Sequence, residues 1–193
     1  NEKEEVSVQI LEMNRHQIIC QILEEIKRDT EPQFEISLYQ AIPKKTVLFE
    51  WVVEKATELG VSAIYPLITE RTEKRRLSKF ERLQAIAMES TEQCHRLKVP
   101  MIHHPIALEA ALNQAKNGYL AYEFQEKMEL LDYGKSLSER GHISIFIGPE
   151  GGFSQKEVDL AKKAGVKPFT LGPRILRTET AAIASLSLLL YLR

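Results

Sequence analysis

The chain has 193 residues, 44% of them apolar and 27% charged, and a formal net charge of −1. That length holds one good-sized domain, or one domain and a small appendage; the near-neutral charge excludes a uniformly basic coat but leaves room for a local basic face. The longest apolar run, Ile183 to Leu192 interrupted by Ser185 and Ser187, is too short to cross a bilayer and reads as a buried helix.

The chain opens on Asn1 with no signal-peptide pattern, so a longer native N-terminus is expected. Cys20 and Cys94 have no motif spacing, which points to free thiols in a reducing, cytoplasmic setting. Residues 6 to 38 read as a small β unit: VSVQIL, HQIICQIL and FEISLYQ are short β-rich runs separated by EMNR and KRDTEPQ. The Ile42–Pro43 pair then marks a boundary near residues 38 to 45. LFEWVVEKATELG follows at helical period and stops at Gly60, a natural residue to end a helix. VSAIYPLI is a strand. Residues 78 to 95 form a helix with Leu83, Ile86, Ala87, Ser90 and Cys94 on one face. GYLAYE and HISIFIG are strands. Ser154 and Glu157 make a capping box that starts a helix running to Gly165. KPFTLG is a strand, and the apolar helix follows it. Helices alternating with strands predict an α/β domain with a mainly parallel sheet.

Two loops follow strands where ligands of open α/β sheets bind. In IGPEGGFS, residues 147 to 154, glycines at 148, 151 and 152 let backbone approach a ligand, and the capped helix behind them favours anionic groups. A tight strand-to-helix turn explains the same glycines equally well. The spacing is neither GxGxxG nor a Walker A loop, so neither a Rossmann dinucleotide nor a nucleoside triphosphate is indicated. In LGPRILRTETAA, Arg174 and Arg177 precede a helix, where cations oppose the helix dipole. That local conflict points to an anionic or polar ligand, unless Glu179 merely pairs with an arginine. His103 and His104 are adjacent, point apart on a strand and lack acidic or cysteine partners at ligand spacing, so no metal is expected. The basic run EKRRLSKFER, residues 73 to 82, is either a solvated helix start or a phosphate-contacting face.

Taken together, KATELGV, YPLITERT, EQCHRLKVP, IGPEGGFS and LGPRILRTETAA, in that order, closely resemble the RsmE-type 16S ribosomal RNA uridine-N3 methyltransferases of the SPOUT superfamily. The resemblance covers residue 38 onward. It implies a SPOUT methyltransferase domain at 39–193, of α/β class, with a C-terminal deep trefoil knot. Residues 1–38 would be the remnant of a small PUA-like β barrel that helps to hold RNA. It also implies a homodimer acting on the small ribosomal subunit, without metal or membrane. S-adenosyl-L-methionine would be bound by three loops. The first holds Leu120, Tyr122 and Glu123; the second Ile147, Gly148, Pro149, Glu150, Gly151 and Gly152; the third Leu171, Gly172, Ile175, Leu176, Thr178, Thr180 and Ala181.

Uracil N3 is protonated and sits on the pairing edge, so the base must be unpaired or flipped, its proton accepted and its charge stabilised. Arg177, then Arg174, are the expected stabilising cations, with Glu179 or Glu150 as the base. Arg71, Arg75, Arg76, Gln93 and Arg96 are expected RNA or cross-dimer contacts. Two other readings stay open: a SPOUT enzyme acting on another RNA site, and a non-catalytic RNA-binding protein of the same fold. A nucleotide-binding metabolic enzyme is disfavoured by the missing Walker and Rossmann patterns.

Overall fold

The computed structural model describes residues 5–26, 30–77, 79–125 and 141–191. Outside them lie part of the KRDTEPQ connection, Ser78 of the basic run, and the final positions expected to extend the apolar helix.

The first strands, β1 (Glu5–Met13) and β2 (Ile18–Ile26), pair antiparallel with Val6 opposite Glu25 and Gln9 opposite Gln21. Asn14 closes the turn: its side-chain oxygen accepts from the backbone N–H groups of His16 and Gln17 at 2.9 and 3.0 Å. Ile10, Leu11, Ile22 and Leu23 are all exposed, because among the described residues no second layer covers this two-stranded ribbon.

The remaining elements are β3 (Glu35–Ala41), α1 (Thr46–Glu58), β4 (Ala63–Ile68), α2 (Phe80–Gln93), β5 (Met101–Ile102), β6 (Ile106–Ala107), α3 (Leu108–Gln114), β7 (Gly118–Ala121), β8 (His142–Ile147), α4 (Gln155–Lys163), β9 (Lys167–Phe169) and α5 (Thr178–Tyr191). The strands from β3 onward form one seven-stranded sheet in the order β5-β4-β3-β8-β7-β9, with β6 also on β4, and every pairing is parallel. The α/β expectation is met. One assignment is corrected: FEISLYQ is not part of the small β unit. It is the central strand β3, with Leu38 level with Ile64 of β4 and Ile145 of β8.

Buried on both faces, β3 and β8 show the period of two in three dimensions. Ile36, Leu38, Ile143, Ile145 and Ile147 point to one side and pack with Phe49, Val52 and Val53 of α1, Leu83 and Ala87 of α2, and Ala182, Leu186 and Leu189 of α5. Tyr39, Ala41, Leu67, Leu120 and Phe146 point to the other and meet Leu108 and Ala111 of α3 and Val158 and Ala161 of α4. The result is three layers. Aromatic rings tie the second face together: Phe146, Tyr39, Tyr65 and His103 stack in series with centroids 4.4, 4.5 and 3.9 Å apart. Burial there pushes the Tyr39 phenol up to about 12.

The C-terminus of α1 shows why Gly60 is needed. Val61 N–H reaches Ala56 O and Gly60 N–H reaches Thr57 O, which turns the chain through a φ of +82°. A side chain there would also strike the ring of Pro32. No described helix is long and apolar enough to cross a membrane.

Candidate active site

Parallel strands present their carboxyl ends on one edge, and three of those ends meet here. A cavity of about 350 Å3 lies between the loops that leave β7, β8 and β9 and the start of α5. Its volume is within the range of small-molecule sites, roughly 300–1,000 Å3.

From β8 come Ile147, Gly148, Pro149, Glu150 and Gly152. The backbone turns at Gly152 with φ +66°, and a Cβ at that point would collide with the Glu123 carboxylate. Glu150 holds the loop to the segment before α1 by accepting the Lys44 N–H at 2.9 Å. Behind the loop, the predicted capping box is present: Ser154 Oγ accepts from Glu157 N–H at 3.3 Å, and Glu157 Oε2 accepts from Ser154 N–H at 2.8 Å. The turn after β4 locks onto this box. Ser154 Oγ donates to Glu70 Oε2 at 2.7 Å, Glu157 Oε1 accepts the Glu70 N–H at 2.7 Å, and the Arg71 guanidinium donates to the Gly151 carbonyl. The YPLITERT stretch is therefore a brace for the glycine loop.

From β7 come Tyr122 and Glu123, and from the segment after β9 come Leu171, Gly172, Arg174, Ile175, Leu176 and Arg177; Thr178, Glu179 and Ala181 belong to α5. Thr178 joins two of the loops: its hydroxyl donates to Gly148 O at 2.6 Å and accepts from Gln40 Nε2 at 2.8 Å. Among the described residues no ion pair joins Glu179 to Arg174 or Arg177, and both arginines are exposed at the cavity. The simple pairing that would have explained the local charge conflict is not present.

Three residues expected at the cofactor do not line the cavity. Leu120 points to the opposite side of the sheet, packing in the Phe146 layer, and its neighbour Ala121 takes the position instead. Thr180 lies two positions along α5 from Thr178, about 200° around the helix, and is exposed. Gly151 is turned outward, its carbonyl taken by Arg71. Leu48 and Thr170 also line the cavity and were not anticipated. Leu48 was legible only as a helix position of α1, whereas Thr170 follows β9 directly and its place at a strand end was a usable signal.

The expected RNA contacts divide. Arg75 and Arg76 are exposed in the segment that precedes α2, and Gln93 is exposed as its last residue. Arg71 is exposed but engaged with the glycine loop. Arg96 is corrected to an internal anchor. Its side chain is 4% exposed, binds Glu31 Oε2 at 2.7 Å, and donates to the carbonyls of Thr57 and Val61 at 2.9 and 3.0 Å. Glu31 in turn accepts the N–H groups of Leu97 and Lys98. Burial raises the Glu31 carboxyl, but the Arg96 bonds and charge outweigh it and hold the group below its ordinary value.

Comparison with known proteins places this geometry. The family model described as an RNA methyltransferase domain matches residues 30–190. The chain is 33% identical over 181 residues to the ribosomal RNA small subunit methyltransferase E of Aquifex aeolicus, covering 92% of this chain and 77% of that protein. It is 36% identical over 172 residues to the protein of the same name in Mesomycoplasma hyopneumoniae, covering 85% and 73%. The crystal structure of a ribosomal RNA small subunit methyltransferase E from Neisseria gonorrhoeae bound to S-adenosyl methionine superposes with a TM-score of 0.87 at 31% identity, over 96% of this chain and 78% of that one. With a matched segment that spans the cavity, the braced glycine loop and both arginines, the chain belongs to the RNA methyltransferase family.

Proposed function

We propose that the chain is an S-adenosyl-L-methionine-dependent methyltransferase that methylates N3 of a uridine in the 16S ribosomal RNA of the small subunit. The observation that carries this reading is the pair of arginines, 174 and 177, standing without carboxylate partners among the described residues on a cavity built by glycine-bearing strand ends.

The cavity suits the cofactor. Apolar walls from Leu48, Ile147, Leu171, Leu176 and Ala181 fit an adenine ring, and the close backbone at Gly148 and Gly152 admits polar groups to main-chain partners. When bound, S-adenosylmethionine supplies an already activated sulfonium methyl. The chain supplies alignment and charge. Arg177, with Arg174 beside it, stabilises the negative charge that develops on the uracil as N3 is deprotonated. Glu179 is the better proton acceptor, because it lines the cavity without an ion-pair partner among the described residues, whereas Glu150 is occupied holding the Lys44 N–H.

Further parts of the reading rest on the same surface. The segment from Leu171 to Thr178 lines the same cavity as the Gly148 loop and the Tyr122 strand end, and Thr178 bonds Gly148 O, which supports a deep trefoil knot. Val47 and Trp51 share an exposed apolar face of α1, the helix whose Leu48 lines the cavity, and Ile175 is an exposed apolar group at the cavity itself, which supports a homodimer closing over it. The β1–β2 ribbon, exposed on both faces, supports a PUA-like β unit that ends before Glu35. The exposed run with Arg75 and Arg76 supports RNA contact in the cytoplasm, where ribosomal subunits are found. The test is titration with S-adenosylmethionine by calorimetry, then transfer of labelled methyl to small subunits and nucleoside analysis. Recovery of label in 3-methyluridine is the expected result. Label in another nucleoside overturns the N3 assignment, and binding without transfer to any RNA favours the non-catalytic reading.

A further inference from the structure

Gln40 sits near the end of β3, level with Ile147 of β8, and is completely buried. Its side chain projects to the α1 and α5 side of the sheet, because in parallel register it shares a face with Ile147. Both protons of its amide are used: Nε2 donates to Ala41 O at 3.0 Å and to Thr178 Oγ1 at 2.8 Å. The orientation is fixed by its neighbour. Thr178 has one proton, which goes to Gly148 O at 2.6 Å, so its oxygen must accept from Gln40. A flipped amide would turn oxygen toward two acceptors. The consequence is that Gln40 Oε1 is left buried with no hydrogen-bond partner.

A buried orphan acceptor is unfavourable, and native cores seldom keep one without a reason. A methionine of nearly the same shape would fill the space without it. We infer that Gln40 is a positioning residue for cofactor binding: through Thr178 it fixes the direction of the Gly148 carbonyl, and so holds the glycine loop and the start of α5 in register with each other. This rests on the reading of the cavity as the S-adenosylmethionine site. The chain Gln40–Thr178–Gly148 joins β3, β8 and α5, whose residues lie 138 and 30 positions apart along the sequence. Without the Gln40 donor, the Thr178 hydroxyl keeps its bond to Gly148 but loses the fixed acceptor geometry that orients it.

The test compares wild type, Gln40→Met and Gln40→Glu by three measurements. These are S-adenosylmethionine affinity by calorimetry, thermal midpoint, and amide hydrogen exchange of residues 147–152 without ligand. Gln40→Met removes the orphan acceptor together with the donor. It is expected to keep or raise the thermal midpoint, speed exchange in the loop, and weaken affinity about five- to tenfold, the loss of one or so net hydrogen bonds. In turnover the loss should appear in KM for the cofactor, with kcat within about twofold. Gln40→Glu takes away the Nε2 donor and sets carboxyl oxygens against Ala41 O and the Thr178 hydroxyl in a fully buried place, so the affinity loss should exceed that of Gln40→Met. Unchanged affinity and unchanged exchange in Gln40→Met would overturn the inference, as would a fall in affinity that only tracks a fall in the thermal midpoint. Should Gln40→Met not fold, Gln40→Leu takes its place: exchange in 147–152 is expected to quicken and affinity to fall, and unchanged values of both overturn the inference. A wild type that does not bind the cofactor but shows the exchange difference refutes the proposed function and leaves the loop-positioning role intact.

Discussion

Replacing Arg96 by methionine removes a cation that the structure uses internally. Three groups lose a bond at once: the Glu31 carboxylate at 2.7 Å, Val61 O at 3.0 Å, and Thr57 O at 2.9 Å, which keeps the Gly60 N–H. Breaking one side of a buried ion pair costs about 3–5 kcal/mol. Here Glu31 remains 20% exposed and keeps the N–H donors of Leu97 and Lys98, which places the cost near the lower end. The two carbonyls are acceptors that water reaches poorly beside a side chain only 4% exposed, so the sum stays at about 3 kcal/mol rather than falling to the level of a surface pair. Against a total stability of about 5–15 kcal/mol, that is a large share. Urea unfolding at one fixed protein concentration should show a clear drop in the midpoint for Arg96→Met at unchanged slope. RNA affinity of the folded variant should retain its full dependence on salt, since each phosphate contact contributes roughly 0.7–0.9 to the slope and Arg96 supplies none. A stability change below about 1 kcal/mol together with a shallower salt slope would falsify the internal role and return Arg96 to the RNA-contact set.

Gly152→Ala forces a side chain onto a left-handed backbone and into the Glu123 carboxylate; S-adenosylmethionine affinity should fall by more than about tenfold, with a stability cost of about 1–2 kcal/mol in thermal unfolding. Arg177→Ala should lower turnover by about 10²–10³ while cofactor affinity changes little; equal losses in both would remove the charge-stabilising role. The Glu31 carboxyl lies below its ordinary value of 4.5 in the folded state, so the stability it contributes is present above that value and is lost as pH falls through the folded one. Acid unfolding of Glu31→Gln should therefore show a flatter pH profile below about 4.5 than wild type, and parallel profiles would count against it.

Two of the loops at the cavity were legible because each follows a strand end within about a dozen residues, one marked by clustered glycines and the other by a charge conflict at a helix start. The capping box of Ser154 and Glu157 was legible for the same reason of locality. Residues that act across distance were not. Arg96 meets Glu31 65 positions away, and Gln40 meets Thr178 138 positions away, so nothing beside either residue announces its partner. FEISLYQ was legible as a strand, but Ser37 and Gln40 interrupt its apolar run and imitate a half-exposed edge, which hid its central place. Strands β5 and β6 span two residues each and lack any period. By contrast α3 carries Leu108, Ala111 and Leu112 at helical spacing, a pattern that was readable and was passed over.

The central position of β3 sets the order in which the molecule can be made. Ser37 pairs on one side with Ala63, which emerges from the ribosome soon after it, and on the other with Ser144, about a hundred residues later. At roughly 5–20 residues per second, one edge of this apolar strand waits several seconds for its neighbour. The face of α1 carrying Phe49 and Val53 waits longer still, because Leu186 and Leu189 of α5 complete it. Assembly of this domain is therefore a late event in its synthesis, complete only once α5 has been made.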